Sequence, residues 1–236
     1  MTRRSPNSSR LVHFVSLVAL AGALLLPSAA MALVQDGQAW FLATAHGSIG
    51  GNWKLYLEAQ PRVGGGPSED GIQQLLLRPA IGYQITPTWS LWQGYAWTPS
   101  FHPDKDENRI YQQSLVETPR EILPVSLVNR TRLEERWIQG ASNVSFRLRH
   151  MLKAVYPLTD DGVWALVGYD ELFVNLDSSK GGPSSGFNQN RVFFGVDYVV
   201  MEGVKLEVGY MNQYLHASGK EDGMNHNGVM QIDYAW

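Results

Sequence analysis

The chain has 236 residues, a formal net charge of −3 and a slightly negative mean hydropathy of −0.19. That length suits one domain after removal of a leader, and the charge excludes a nucleic-acid surface. Cysteine is absent, which excludes a disulfide framework and a thiolate metal centre. No apolar run beyond residue 32 is long enough for a membrane-crossing helix, which excludes a helical membrane protein.

Arg3, Arg4 and Arg10 precede an apolar run from Leu11 to Leu26, then Pro27 and small residues up to Ala30-Met31-Ala32. A basic segment, an apolar segment and an A-x-A site in that order predict a cleaved signal peptide over 1–32. The alternative is an uncleaved anchor, but the run is shorter than the ~20 residues a spanning helix needs. Residues 33–236 then form one exported domain, with no linker or repeat to divide it.

Those residues fall into segments of alternating apolar and polar side chains separated by turn residues. Strands are predicted near 38–47, 52–62, 72–84, 88–98, 108–117, 127–138, 143–157, 163–176, 187–200, 203–216 and 225–236. In the second, Trp53, Leu55, Leu57 and Ala59 oppose Lys54, Tyr56, Glu58 and Gln60; in the tenth, Val204, Leu206, Val208 and Tyr210 oppose Lys205, Glu207, Gly209 and Met211. A soluble sandwich has the same period, so the placement of aromatics decides. Tyr83, Trp89, Tyr156, Trp164, Tyr198 and Trp236 mark one set of strand ends, and Trp97, Trp137 and Tyr214 the other. That predicts the two interfacial girdles of a transmembrane barrel.

The connections 84–88, 157–162 and 201–203 are short, whereas 63–71, 98–108, 177–186 and 217–224 are longer, so short turns face the periplasm and long loops the outside. The fold class is an all-β, transmembrane, antiparallel up-and-down barrel of about 10–12 strands. Eleven segments conflict with the even count of single-chain bacterial barrels. Either the first is not a full strand, or Glu117 to Val128 hides a twelfth.

In the sixth segment Arg130, Arg132, Glu134 and Arg136 share a face, and in the seventh Arg147, Arg149 and Lys153 do. Charge facing lipid at mid-membrane costs about 2–4 kcal/mol per residue, so these faces line the lumen. A turn near Gly140 sets Glu134 beside Arg147 and Arg132 beside Arg149. Candidate partners for the cations are Glu58, Asp197, Glu207 and whichever of Asp170 or Glu171 points inward; Arg191 completes the charge network. Interlocked, these side chains plug the barrel; hydrated, they form a basic wall that prefers anions.

Met230, Ile232, Tyr234 and Trp236 alternate to the last residue, as a closing strand with an interfacial aromatic does. The ending resembles the C-terminal signal read by outer-membrane assembly machinery. Arg78-Pro79 with Gly82-Tyr83, Trp92-Gln93-Gly94-Tyr95, Arg130 to Trp137, Tyr169 to Phe173, Asn188-Gln189-Asn190-Arg191 and Gly209 to Gln213 resemble the domain-of-unknown-function family 2490. The resemblance spans nearly the whole mature chain and implies a barrel in the outer membrane, without an activity.

A lipid-modifying barrel enzyme needs a Ser activated by His on the lipid side. His150 has the outward parity, but its expected cross-strand neighbour is Thr131, and Asn225-His226-Asn227-Gly228 brings no Ser; both histidines are read as structural. Asp104, Asp106 and Glu107 beside His102 form a solvated acidic loop rather than a Ca²⁺ site, and Gly64-Gly65-Gly66-Pro67 precedes no helix and cradles no phosphate. No cofactor or metal is expected. The expected partners are outer-membrane lipid and the assembly machinery, and the expected role is structural or a passive pore rather than catalysis.

Overall fold

A computed structural model describes residues 34–64, 71–101, 104–120 and 125–236. The predicted signal peptide, His102 and Gly65 to Pro67 lie outside them. The described residues form twelve strand segments and no helix: β1 (Val34–Gly50), β2 (Trp53–Val63), β3 (Ile72–Leu77), β4 (Ala80–Thr86), β5 (Trp89–Phe101), β6 (Asp104–Thr118), β7 (Ser126–Ile138), β8 (Ser145–Pro157), β9 (Trp164–Asn175), β10 (Gly186–Met201), β11 (Val204–Leu215) and β12 (Gly223–Ala235). Apart from β3 and β4, each pairs with the next in sequence, and β1 pairs with both β2 and β12, so the sheet is closed.

β3 and β4 are two halves of one stave. Both lie between β2 and β5. The ladder continues through the break on one side, where Arg78 N–H donates to the Glu58 carbonyl at 2.9 Å and Glu58 N–H to the Arg78 carbonyl at 3.1 Å. On the other side Pro79 accepts from Tyr95 N–H at 3.0 Å but has no N–H to return, and the pairing is interrupted there. The barrel therefore has eleven staves, one for each predicted segment.

Neither expected way of restoring an even count occurs. β1 is a full strand of 17 residues, and residues 119, 120 and 125, the described part of the β6–β7 connection, are not strand. The odd number is accommodated by a parallel closure: β1 pairs with β12 in parallel from Val34↔Gly223 to His46↔Ala235, while the other neighbours are antiparallel. Up-and-down order thus holds everywhere except at the seam. The two ends of the sheet start at opposite rims, Val34 at one and Trp236 at the other.

The turns at 51–52, 87–88 and 202–203 share the rim of Trp236, together with the connection 158–163 and the facing ends of β6 and β7 at Thr118 and Ser126. The connections 139–144, 176–185 and 216–222, and the facing ends of β2 and β3 at Val63 and Ile72, lie at the rim of Val34. The expected long loop 98–108 is instead a protruding hairpin in which β5 and β6 stay paired out to Phe101↔Asp104. Its sequence resembles a loop because Asp104, Lys105 and Asp106 near its tip are exposed, although Thr98 and Pro99 at its base are buried. Trp97 consequently sits four residues short of its strand's end.

Alternation decides what faces out. Each stave exposes at least one large apolar side chain, from Phe41 on β1 and Leu57 on β2 round to Val208 on β11 and Ile232 on β12. Trp53, Tyr83, Trp89, Trp164, Tyr234 and Trp236 are exposed toward one rim, with Trp97 and Trp137 toward the other. Tyr156, expected among the first set, is buried instead. Met230, Ile232, Tyr234 and Trp236 all face outward as predicted. Trp236 closes the seam: its backbone N–H donates to the His46 carbonyl at 3.1 Å, its indole N–H donates to the Ser48 carbonyl at 3.2 Å, and its ring lies over Gly47, where a Cβ would clash.

A parallel seam has a direct test. Ala43 and Ile232 are register partners, so A43C/I232C should form an intrachain disulfide in this cysteine-free chain. A39C/Y234C should not, because parallel pairing sets their register positions six residues, or about 20 Å, apart. Non-reducing mass spectrometry of the two variants reads the difference, and cross-linking only in the second would reverse the seam.

Candidate functional site

The inward face is the inverse of the outward one. Arg132, Glu134, Arg136, Arg147, Arg149 and Glu171 are each below 10% exposed, and so are Glu58, Arg78, Arg109 and Glu207. A burial this complete leaves each charge dependent on protein partners.

The predicted register is the observed one. Arg132 pairs with Arg149, Glu134 with Arg147 and Thr131 with His150. Glu134 accepts from Arg147 at 2.5 Å and from Arg149 at 2.6 Å. Arg149 turns its other edge to Glu171, at 2.7 Å, which also accepts from Arg130 at 2.8 Å. The two adjacent cations Arg132 and Arg149 are thus separated in role: Arg149 bridges two carboxylates, while Arg132 donates to the Gln113 amide oxygen at 3.0 and 2.6 Å and lies 4.0 Å over the Tyr111 ring. Arg132 reaches Glu134 only at 3.9 Å, and Arg191 reaches Glu171 only at 3.9 Å.

Of the two adjacent carboxylates on β9, Glu171 is the inward one. Asp170 has the opposite parity and accepts from Asn190 at 2.9 Å, so it stands apart from the lumen network to which sequence had joined it. Lys153 pairs with Glu207 at 2.6 Å, and Asp197 lies opposite Glu207 in the register. Glu58 is committed to Arg78 and to the Tyr56 hydroxyl.

Three features went unpredicted. Glu107, expected in an acidic loop, turns inward and takes both Arg109 at 2.7 Å and Arg136 at 2.5 Å. Its parity with Arg109 was the available signal. Asp233 on β12 binds the Thr44 hydroxyl and His46 across the seam. An aromatic and aliphatic sector completes the filling, with Trp40, Val167, Phe193, Met211 and Val229 in one buried cluster. Glycines make room for it: a Cβ at Gly195 or Gly209 would strike the Phe193 ring, and one at Gly94 would strike Tyr111. At the boundary between the sectors, Arg62 lies 3.6 Å and Arg191 5.0 Å from the Trp40 ring centroid.

The outward histidines bond to hydroxyls of other kinds than serine: His150 Nδ1 is 3.0 Å from Thr131 Oγ1, and His226 Nδ1 is 2.5 Å from the Tyr210 hydroxyl. Among the described residues no cluster of three or more His, Asp or Glu side chains could hold a metal ion. At the loop-rich rim Asp222 fastens the β11–β12 connection, accepting from the Tyr214 hydroxyl and, at 2.9 Å, from Ala217 N–H, while its own carbonyl accepts from Val34 N–H. The first two contacts hold its carboxyl below the usual carboxylate range.

A sequence profile described as "Protein of unknown function (DUF2490)" matches residues 37–225. An uncharacterised protein of Methylorubrum extorquens is 38% identical over 184 residues, covering 76% of this chain and 79% of that one.

The network predicts unequal costs for two adjacent carboxylates. E134Q leaves Arg147 and Arg149 without a buried anion each relied on, and should destabilise the barrel by about 3–5 kcal/mol. E135Q, on the outward face, should stay within about 0.5 kcal/mol. Urea unfolding of both variants in the same detergent or lipid gives the comparison.

Proposed function

We propose, for a chain that belongs to the family of proteins of unknown function DUF2490, that it is an outer-membrane barrel with a closed, charge-filled lumen and a structural rather than conducting or catalytic role. The observation that carries this reading is the inversion of the barrel: apolar side chains are exposed on every stave while the charges are buried inside. A soluble protein arranged so would bury its costliest groups and leave its cheapest driving force unused. In lipid the same arrangement satisfies both faces.

The lumen supports closure over conduction. Arg149 joins β8 to carboxylates on β7 and β9, Arg130 reaches from β7 to β9, and Arg191 on β10 reaches the ring of Trp40 on β1. Side chains that bridge staves at these distances take up space inside the barrel and favour a filled lumen. In this reading residues 1–32 are the cleaved export signal, the Met230 to Trp236 strand is what the assembly machinery engages, and the exposed aromatics settle at the two headgroup layers. The rim of Trp236 faces the periplasm and the loop-rich rim the outside.

Membrane location and closure are separable in experiment. The mature protein should fractionate with the outer membrane and migrate differently on a denaturing gel before and after boiling; recovery as a soluble periplasmic monomer would end the membrane reading. In a planar bilayer the reconstituted protein should give no steady current at either polarity. A stable conductance would end the closed-lumen reading and restore the anion-preferring pore as its replacement.

The seam gives a further expectation. W236D places a charge at the interface and removes the indole from Gly47, so membrane assembly should fall while export and signal cleavage persist. Quantifying heat-modifiable protein against total processed protein measures this. An unchanged ratio would show that the C-terminal aromatic is dispensable.

A further inference from the structure

The middle of the lumen is not electrically balanced. Nine arginines line it, from Arg62 on β2 to Arg191 on β10, and among the described residues four carboxylates lie within ion-pair distance of them: Glu58, Glu107, Glu134 and Glu171. Elsewhere in the interior Lys153 pairs with Glu207, with Asp197 opposite it, and Asp233 bonds to His46, so the arginine surplus is local. The chain as a whole is net negative, at −3. Arginine does not relieve a surplus by shedding its proton, as a buried lysine does. A surplus of buried guanidinium charge therefore requires anions from elsewhere.

Unmet donors accompany this surplus. Arg62 Nε, Arg78 Nε, Arg132 Nη1 and Arg191 Nε are buried without a hydrogen-bond partner. Arg62 is served only by amide oxygens, Gln74 at 2.7 Å and Gln60 at 3.3 Å. Arg62 and Arg191 both lie against the Trp40 ring, and Arg78 is within electrostatic range of Arg62, Arg132 and Arg191. Four unsatisfied guanidinium N–H groups in an interior with too few carboxylates are the donor set that oxyanions and halides take.

We propose that the lumen binds at least one small inorganic anion, a halide or a tetrahedral oxyanion, among the guanidinium groups of Arg62, Arg78, Arg132 and Arg191. This rests on the closed-lumen reading, since in an open, hydrated pore water and mobile ions would screen the same charges. The anion is a fixed counter-ion of the fold, and it stabilises the barrel by mass action as any ligand of the native state does.

The test is thermal unfolding of the purified, folded protein, read by heat modifiability and tryptophan fluorescence. Sodium chloride, phosphate or sulfate is titrated against sodium gluconate at constant ionic strength, gluconate being the large control anion. The midpoint should rise by several degrees and saturate with at least one small anion; saturation with chloride alone identifies a halide site, and with phosphate or sulfate an oxyanion site. Q74E and Q113E place a carboxylate against Arg62 and Arg132 at nearly unchanged volume. Each should raise the midpoint in gluconate and flatten the response to the small anion, a gain that a damaged fold would not give.

Equal midpoints in gluconate and all small anions, or glutamate variants that are less stable in gluconate than the parent, would overturn the proposal. The bilayer measurement separates its failure from that of the closed lumen. A silent bilayer with an anion-independent midpoint removes the bound anion and keeps the closed lumen. Steady current removes the closure, and a saturable anion response would then belong to a hydrated pore and overturn the fixed counter-ion.

Discussion

The contact on which the rest of the barrel depends is the chain of charges Arg147–Glu134–Arg149–Glu171–Arg130, which crosses β7, β8 and β9 from the inside. A hydrogen-bonded ladder alone does not choose a register, because every register satisfies the backbone. A slip of one residue on β8 would turn Arg147 and Arg149 outward among Phe146, Leu148 and Leu152 and bring those apolar groups inward. The buried carboxylates on β7 and β9 would then face no cation. The penalty falls on every pair at once, so the interior charges specify pairing as well as fill space.

The seam solves a different problem by different means. Ten antiparallel neighbours among eleven staves leave the first and last strands pointing the same way, so the last pair closes in parallel or not at all. Parallel ladders bond slightly less well per residue, and here side chains reinforce them. Asp233 ties to Thr44 and His46 inside, and Trp236 covers Gly47 and bonds to Ser48 outside. At the other end of the same seam Asp222 fastens the β11–β12 connection and receives Val34 N–H. The strand that is read first and the strand that is read last are clamped at both rims.

Strand positions, inward faces and the β7–β8 register were legible because each depends on alternation and a turn, which are local. The sheet's parity was not. Nothing in the residues of β1 or β12 distinguishes a parallel from an antiparallel neighbour, since both present the same inward set, and the expectation of an even count came from other barrels. The Pro79 break was hidden for the opposite reason: the alternation runs through it unchanged, with Arg78 inward, and only the hydrogen bonds on the β5 side are lost. Glu107 was misread because Asp104, Asp106 and Glu107 resemble a loop by composition, although Glu107 is in phase with Arg109 and Tyr111. Between Asp170 and Glu171, adjacency left the inward one open until a register fixed the phase.

Composition conceals the most consequential property of the interior. A net charge of −3 describes a chain whose acidic residues lie disproportionately at the rims and on the outside, including Asp104, Asp106, Asp160, Asp161, Glu202 and Glu221, while its arginines are concentrated within. The choice of arginine follows from that location. A lysine buried with too few carboxylates would lose its proton and with it its hold on the neighbouring strands. A guanidinium stays charged, spreads that charge over a plane, and covers an aromatic ring while its edge reaches a carboxylate, as Arg149 does with Phe173 and Glu171. The aromatic lining is therefore part of the electrostatics: Tyr111, Phe173 and Trp40 offer their π faces to cations that the four carboxylates do not fully serve, and the glycines that make room for such rings contribute to that balance as directly as the glutamates.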